Sequence, residues 1–232
     1  PGLRPARNIP TMASEHVDRF GHGHAEVFFE ACRVPMENLL GERGQGFKIA
    51  QMRLGPGRIH HCMRWLGVAR RAFDMLCERA LQREMFGSRL ADKETVQNWI
   101  ADSAAEMQAA RLMTLHAAWK IDQFGAPAAR TDISMIKFFG AKVLLDVIDR
   151  AIQLHGALGF SADLPLEAMY RESRAARFYD GPDEVHRVTV ARQILKGYSA
   201  PEGLWPREHV PTRRAMAQRK FAARLEALTA NS

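Results

Sequence analysis

Ile133-Ser-Met-Ile136-Lys-Phe-Phe-Gly140-Ala-Lys-Val143-Leu-Leu-Asp-Val147-Ile-Asp-Arg-Ala151-Ile-Gln-Leu154 sets Ile133, Ile136, Gly140, Val143, Val147, Ala151 and Leu154 three or four residues apart. That is the period of one buried helical face. It predicts a helix over about Ala129–His155, stopped by Gly156 and Gly159.

The same period recurs on both sides. Upstream, Val96, Ile100, Ala104, Met107, Ala110 and Ile121 predict a helix over about Lys93–Phe124, ended by Gly125-Ala-Pro127. Before it, Leu66, Ala69, Phe73, Leu76 and Ala80 predict one over about Gly46–Arg83. Gly55-Pro56-Gly57 lies inside that stretch, and on local rules it breaks or kinks the helix. Met85–Asp92 reads as a loop. Shorter helices follow at about Leu166–Phe178 and Pro182–Tyr198.

Long helices joined by short loops lie antiparallel, so the body reads as mainly α, an up-and-down helical bundle. Residues 1–40 read as β. His24–Val34 is rich in Val and Phe and stops at Pro35, and Arg4–Ile9 is a second candidate strand. Two strands are marginal alone, so they are a short β remnant that needs a larger sheet. The expected division is 1–40, the end of a β-domain; 41–199, the helical bundle; and 200–232, a linker and terminal helix. In that last part Thr212–Leu228 has Phe221, Leu225 and Leu228 on one side and many arginines elsewhere. Such a basic helix is either solvated, docked on an interface, or bound to a membrane or partner.

Composition narrows the class. With 47% hydrophobic and 25% charged residues, the chain reads as an ordinary globular protein. The formal charge of +7 suits an anionic ligand such as a nucleotide cofactor or coenzyme A, and nucleic acid would satisfy it equally. No basic run interleaved with aromatics favours nucleic acid, and no apolar run reaches the ~18 residues of a membrane span. Cys32, Cys62 and Cys77 have no CxxC spacing and cannot all pair, which fits a reducing compartment. No signal peptide is visible, and the protein is expected not to be secreted. His22-Gly-His24 lacks a third ligand at metal spacing, so no metal site is expected.

The chemistry is expected in Phe178-Tyr-Asp-Gly-Pro-Asp-Glu-Val-His-Arg187. A helix ends there, and the chain turns through Asp180-Gly181-Pro182. It then starts a new helix at Pro182, whose missing N–H would be unpaired at that position anyway. Gly181 allows the turn. The outcome is a carboxylate, Asp180, beside a helix start. Taken alone, these residues also read as a plain turn with an N-cap, Asp183 and Glu184 filling the first helical turn.

The segment resembles the Tyr-Glu-Gly-Thr-x-x-Ile-x-Arg signature of the acyl-CoA dehydrogenase family. Asp180 stands where most members carry the glutamate base that takes the substrate α-proton. Three further segments extend the resemblance over about residues 24–198. Val34-Pro-x-x-Asn-x-Leu40 with Gly44-x-Gly-Phe47 resembles the exit from the family's β-domain. Arg83-x-x-Phe86-Gly87 and Gln153-x-x-Gly156-x-x-Gly159-Phe160 resemble the segments that reach a neighbouring subunit's FAD. Without that context Arg83 is an ordinary helix C-terminal cation and Gln153 a surface or packing amide. Arg53-Leu-Gly-Pro-Gly-Arg-Ile-His-His-Cys-Met-Arg64 resembles the branch whose larger eukaryotic members add a phosphotransferase-like domain and which also uses Asp.

The resemblance implies FAD-dependent α,β-dehydrogenation of an acyl-CoA thioester. Asp180 takes the proton and the flavin takes the hydride. The Asp180 backbone N–H helps to hold the thioester carbonyl, and Arg58 sets the charge of the site. Arg83, Phe86, Gln153, Gly156, Pro182 and Glu184 are the implied cofactor contacts. Tyr179, Gly181, His60, His61 and Arg64 are the implied substrate contacts, although the last three either meet a polar or anionic acyl substituent or simply pack and face solvent. An electron-transfer flavoprotein is the implied acceptor, and a homodimer or homotetramer the implied assembly. The implied location is cytoplasmic in a bacterium, mitochondrial or peroxisomal in a eukaryote.

Two departures accompany the resemblance. Asp180 reaches ~1.5 Å less than a glutamate. Branches that place the base on the long helix have it where this chain has Gly57, which cannot act. The family's N-terminal helical domain and most of its β-domain are expected to lie outside this chain, which has no initiating Met. Two other readings stand beside this one: a nitroalkane-oxidising flavoenzyme of the same fold, which also uses Asp, and a non-catalytic helical interaction module. A side chain at Asp180 locked in a salt link, or aimed away from any cleft, would remove the enzymatic reading.

Overall fold

Helix α3, Arg130–His155, runs through the middle of the bundle. In the computed structural model, which describes residues 2–12 and 23–229, it packs on α1 (Gly46–Gln82), α2 (Glu94–Phe124) and α5 (Leu166–Ser173). Its predicted apolar face is buried as far as Ala151, with Leu154 partly buried against the core. Because neighbours cover it on several sides, Ala141, Leu144 and Ile148 are buried as well. The short connections make α1, α2 and α3 run up, down and up. The mainly α, up-and-down bundle expected from the periodicity is what the chain forms.

Helix α1 is unbroken through Pro56. The proline lacks the N–H that would bond the Met52 carbonyl. The Met52 side chain is exposed on that turn, where water can serve the carbonyl instead. Of the expected face of α1, Ala69, Leu76 and Ala80 are buried and Leu66 and Phe73 only partly so, while Cys62, Trp65 and Ala72 are buried in addition, which turns the face toward them. On α2, Ala104 is exposed and its neighbour Ser103 is buried, where Ser103 Oγ accepts from Arg150 Nη1 at 2.9 Å.

The expected loop after α1 is a two-strand hairpin, β3 (Glu84–Met85) with β4 (Ser88–Arg89). Its tip, Phe86-Gly87, has φ of 53° and 77°. Two positive φ values mark the type I′ turn that hairpins prefer, normally built from Asn-Gly. Before α1, β1 (Leu3–Ile9) pairs antiparallel with β2 (His24–Phe29). Cross-strand pairs Arg4–Glu30 and Arg7–Glu26 tie the edges, and Phe29 is exposed. His22 lies outside the described residues, and no cluster of metal ligands occurs among those described.

After α3 come the single-turn α4 (Ala157–Phe160), α5, and a 3₁₀ turn at Arg174–Arg177 in place of the last part of the expected Leu166–Phe178 helix. Helix α6 covers Asp183–Leu195, so Pro182 precedes the helix rather than opening it. The chain divides into two compact units, residues 1–191 and 192–232. In the second, Trp205 stacks on His209 at 4.5 Å, and His209 stands at the N-cap position of α7 (Val210–Lys220) with its Nδ1 2.8 Å from Thr212 Oγ1. The expected single terminal helix is interrupted at Phe221 and resumes as α8 (Ala222–Thr229). The side chains of Leu225 and Leu228 lie outside the described residues. None of the described helices is long and apolar enough to cross a membrane.

Candidate active site

Three non-glycine residues among those described have positive φ: Ala31, Phe86 and Asp180. Two of the three are predicted site residues, and such conformations cost free energy that the surroundings must offset. At Asp180, φ is 54°, which Asp tolerates better than most residues, and Gly181 follows at 109°. A Cβ on Gly181 would stand 2.7 Å from His186 Nε2, so only glycine fits there.

The turn is pinned through its carbonyls. Arg58 Nε, on α1, donates to the Asp180 carbonyl at 2.9 Å, with His186 Nε2 3.3 Å from the same oxygen. Lys137 Nζ, on α3, donates to the Ala176 carbonyl at 2.7 Å and the Gly181 carbonyl at 3.2 Å. Lys137 is fully buried, with its ammonium over the rings of Trp65 and Tyr179 at 5.3 and 5.5 Å. Trp65 Nε1 donates to the Tyr179 hydroxyl at 2.6 Å. Tyr179 is thereby fixed beside the acid.

The Asp180 side chain is 15% exposed, with Oδ2 3.0 Å from His61 Nε2. Oδ2 is closed off from solvent and, although the imidazole is this near, accepts no well-formed hydrogen bond. Arg64 Nη2 lies 2.5 Å from His61 Nδ1. Arginine only donates, so Nδ1 accepts and the neutral ring carries its proton on Nε2. Burial pushes the His61 pKa down against the pull of Asp180, with Arg64, Lys137 and Arg53 pushing the same way. The ring is therefore neutral at pH 7, and the contact is not a closed salt link. On the other side, a Cβ on Gly57 would be 3.9 Å from Oδ2, an ordinary contact distance, so α1 passes the carboxylate there with no side chain between them.

Burial also acts on the supporting groups. It lowers the Arg58 pKa against Asp180, and that of Lys137 against Asp183, Cys62 and Asp180. It brings His186 down to about 4 and raises the Tyr179 phenol, partly offset by Trp65. His60 and Arg64 are exposed, as are Pro182 and Glu184. Asp183 is buried and held by Arg177 Nε at 2.8 Å, so this acid belongs to the packing of α6 rather than to an open helix mouth.

The predicted residues fall into two groups. Arg58, His61, Tyr179, Asp180 and Gly181 meet at the N-terminal halves of α1 and α3. Arg83, Phe86, Gln153 and Gly156 lie where those helices end. Residues 137 and 153 are ~24 Å apart along α3 at 1.5 Å per residue, so the second group does not join the first. Its members are exposed: Phe86 is 93% exposed, and Gly156, at φ 63°, has nothing within 4 Å of where a Cβ would stand. A cavity of about 490 Å³ lies beside the Asp180 turn, lined by Lys142, Asp146, Arg174, Arg177, Asp183 and Arg187 among others; Asp180 does not line it. Lys137 and His186 were not singled out from sequence. The signal for Lys137 was a lysine next to Ile136 on a face that is otherwise apolar.

The family model for the acyl-CoA dehydrogenase C-terminal domain matches residues 44–195. The chain belongs to the acyl-CoA dehydrogenase family. Among its relatives, the "Probable acyl-CoA dehydrogenase FadE2" of Mycobacterium tuberculosis is 51% identical over 84% of this chain and 47% of its own length. Acyl-CoA dehydrogenase family member 11 of Rattus norvegicus is 47% identical over 84% of this chain and 25% of its own. The butyryl-CoA dehydrogenase structure from Megasphaera elsdenii superposes with a TM-score of 0.75 at 31% identity, covering 84% of this chain and 49% of that one. This family member thus spans about half, or a quarter, of the length of the relatives it matches.

Proposed function

We propose that this chain forms the helical half of an FAD-dependent acyl-CoA dehydrogenase in which Asp180 is the base that takes the substrate α-proton. The observation that carries the reading is the Asp180 carboxylate: held in a left-handed turn, flanked by Gly57, with Oδ2 lacking a hydrogen-bond partner. A base must meet its proton at hydrogen-bond distance, so His61 swings off Oδ2 as substrate enters. Arg58 holds the Asp180 carbonyl, which keeps the backbone N–H side of the turn available to the thioester oxygen. Tyr179, fixed by Trp65, walls the acyl chain, and Gly181 keeps the turn open. His60 and Arg64, exposed on the same helix, meet a polar acyl substituent.

The residues present fit FAD. Arg83 offers a donor fork suited to a pyrophosphate, Phe86 is an exposed ring, and Gly156 has an open backbone beside Gln153. Pro182 and Glu184 lie exposed next to Asp180. Bound flavin would supply the hydride acceptor. The ~24 Å between the two groups favours Arg83, Phe86, Gln153 and Gly156 serving the cofactor of a second subunit, hence a homodimer or homotetramer. The cavity beside the turn does not include Asp180. Electron-transfer flavoprotein is the proposed acceptor, in the cytoplasm of a bacterium or the mitochondrion or peroxisome of a eukaryote.

Anaerobic titration of the full-length flavoprotein tests this. Bleaching of the flavin by a saturated acyl-CoA supports the reading. Bleaching by a nitroalkane alone would favour the nitroalkane oxidation that an Asp base also serves. No bleaching by either, in protein that retains flavin, leaves a non-catalytic helical module.

A further inference from the structure

We infer that Lys137 is the positioning residue of the Asp180 turn: its buried ammonium ties the last turn before the acid to the residue after it, and so sets where the carboxylate points. The inference rests on the reading of Asp180 as the base.

Lys137 sits on the most buried helix of the bundle, at a position where Ile133, Ile136 and Gly140 mark an apolar face. A lysine there costs a desolvated charge and a long side chain's rotamer freedom. Neither cost is offset by a bonded carboxylate: its two hydrogen bonds go to the carbonyls of Ala176 and Gly181. Packing would be served as well by methionine. What methionine lacks is the pair of donors.

Those donors reach both flanks of the acid. The Ala176 carbonyl belongs to the 3₁₀ turn that leads into Tyr179, and the Gly181 carbonyl follows Asp180 directly. Between them Arg58 takes the Asp180 carbonyl. Two cations from two helices thus hold consecutive carbonyls of a turn with two positive φ values in succession. With carbonyls 180 and 181 anchored, the Asp180 backbone has little freedom to relax out of the left-handed region. The Trp65 and Tyr179 rings, which the ammonium also faces, hold it in place. Arg58 alone would leave the C-terminal side of the turn untied.

The test uses the full-length protein loaded with its cofactor and the variants Lys137→Met and Lys137→Arg. Amide hydrogen exchange is read peptide by peptide, beside kcat and KM. Lys137→Met should accelerate exchange across residues 176–183 at least tenfold, leave the interior of α1 and α2 unchanged, and lower kcat at least tenfold with KM within twofold. Lys137→Arg, which keeps charge and donors, should hold exchange in that segment within about threefold of the parent. Unchanged exchange at 176–183 in Lys137→Met, or acceleration spread evenly over the bundle, overturns the inference. If Lys137→Met does not fold, Lys137→Arg decides: selective retention of order at 176–183 supports the role, and loss there equal to the loss in α3 overturns it. Should Asp180→Asn retain activity, the base reading fails, while the exchange pattern still decides what Lys137 does.

Discussion

Gly57 faces Asp180 across the start of the bundle: a Cβ on Gly57 would stand 3.9 Å from Asp180 Oδ2 and 3.7 Å from Arg53 Nη1. Both are ordinary contact distances, and Gly57 lies inside α1. Gly57→Ala should therefore be accepted and raise stability by about 0.5–1 kcal/mol, the helix-interior difference between the two residues. Under the proposed reaction Oδ2 must be uncovered, and the same methyl would then crowd the approach of a substrate α-carbon past α1. A higher melting temperature together with at least a tenfold lower kcat is expected. Unchanged turnover would move the substrate's approach elsewhere.

His61 gives the site an acid limit. Its pKa is lowered by burial, so the neutral ring leaves Oδ2 without an ion pair at pH 7. As pH falls through that lowered value the ring gains a proton and pairs with Asp180, holding the base. Activity should fall on the acid side, below the ordinary histidine range, and His61→Asn should remove that limb from the pH–rate profile. A limb unchanged in His61→Asn would assign it to another group.

His186 links stability to pH. Its folded pKa is about 4, against an ordinary value of 6.5, chiefly because of burial. The unfolded chain therefore binds the extra proton between those values. The contribution is present above 6.5 and is lost as pH falls toward 4. Linkage puts the loss on the order of 2 kcal/mol. Urea unfolding at pH 7 and at pH 4.5 should show that drop in the parent and a smaller one in His186→Asn.

Phe86 holds the tip of a type I′ turn with φ 53° while 93% exposed. An aromatic residue in that conformation costs on the order of 1 kcal/mol, and Asn is the residue the turn prefers. Phe86→Asn should raise the melting temperature of the flavin-free protein and weaken retention of FAD through gel filtration. Equal retention would separate Phe86 from the cofactor.

The parts of the fold that rest on period were legible in the residues. Ile133 to Ala151 form a buried face as spaced, because α3 is covered on several sides and a small angular error still lands on core. On α1 the same reasoning chose Leu66 and Phe73, while the bundle buries Cys62 and Trp65. Only one side of that helix is covered, so rotation matters. Ser103 is buried in place of Ala104 because Arg150 reaches it, a contact between helices far apart in sequence. Phe86-Gly87 did not announce a hairpin, since phenylalanine is the wrong residue for its turn. Asp183 read as a residue of a helix's first turn, and its buried pairing with Arg177 was not visible. At the site, Asp180, Gly181 and Tyr179 were legible as a motif. Lys137 and His186 act through backbone carbonyls, which no spacing rule reports.

If the Asp180 carboxylate is the base proposed above, replacing it must stop removal of the proton next to the thioester. Incubating the full-length Asp180→Asn protein, with flavin bound, with an α-deuterated acyl-CoA measures this directly. Asn keeps the size of the side chain and cannot serve as the base. The expected result is full retention of flavin, loss of at least a thousandfold in the rate of wash-out of the α-deuterium, and no flavin bleaching. Wash-out at the parent's rate in that variant would take the role of base away from Asp180.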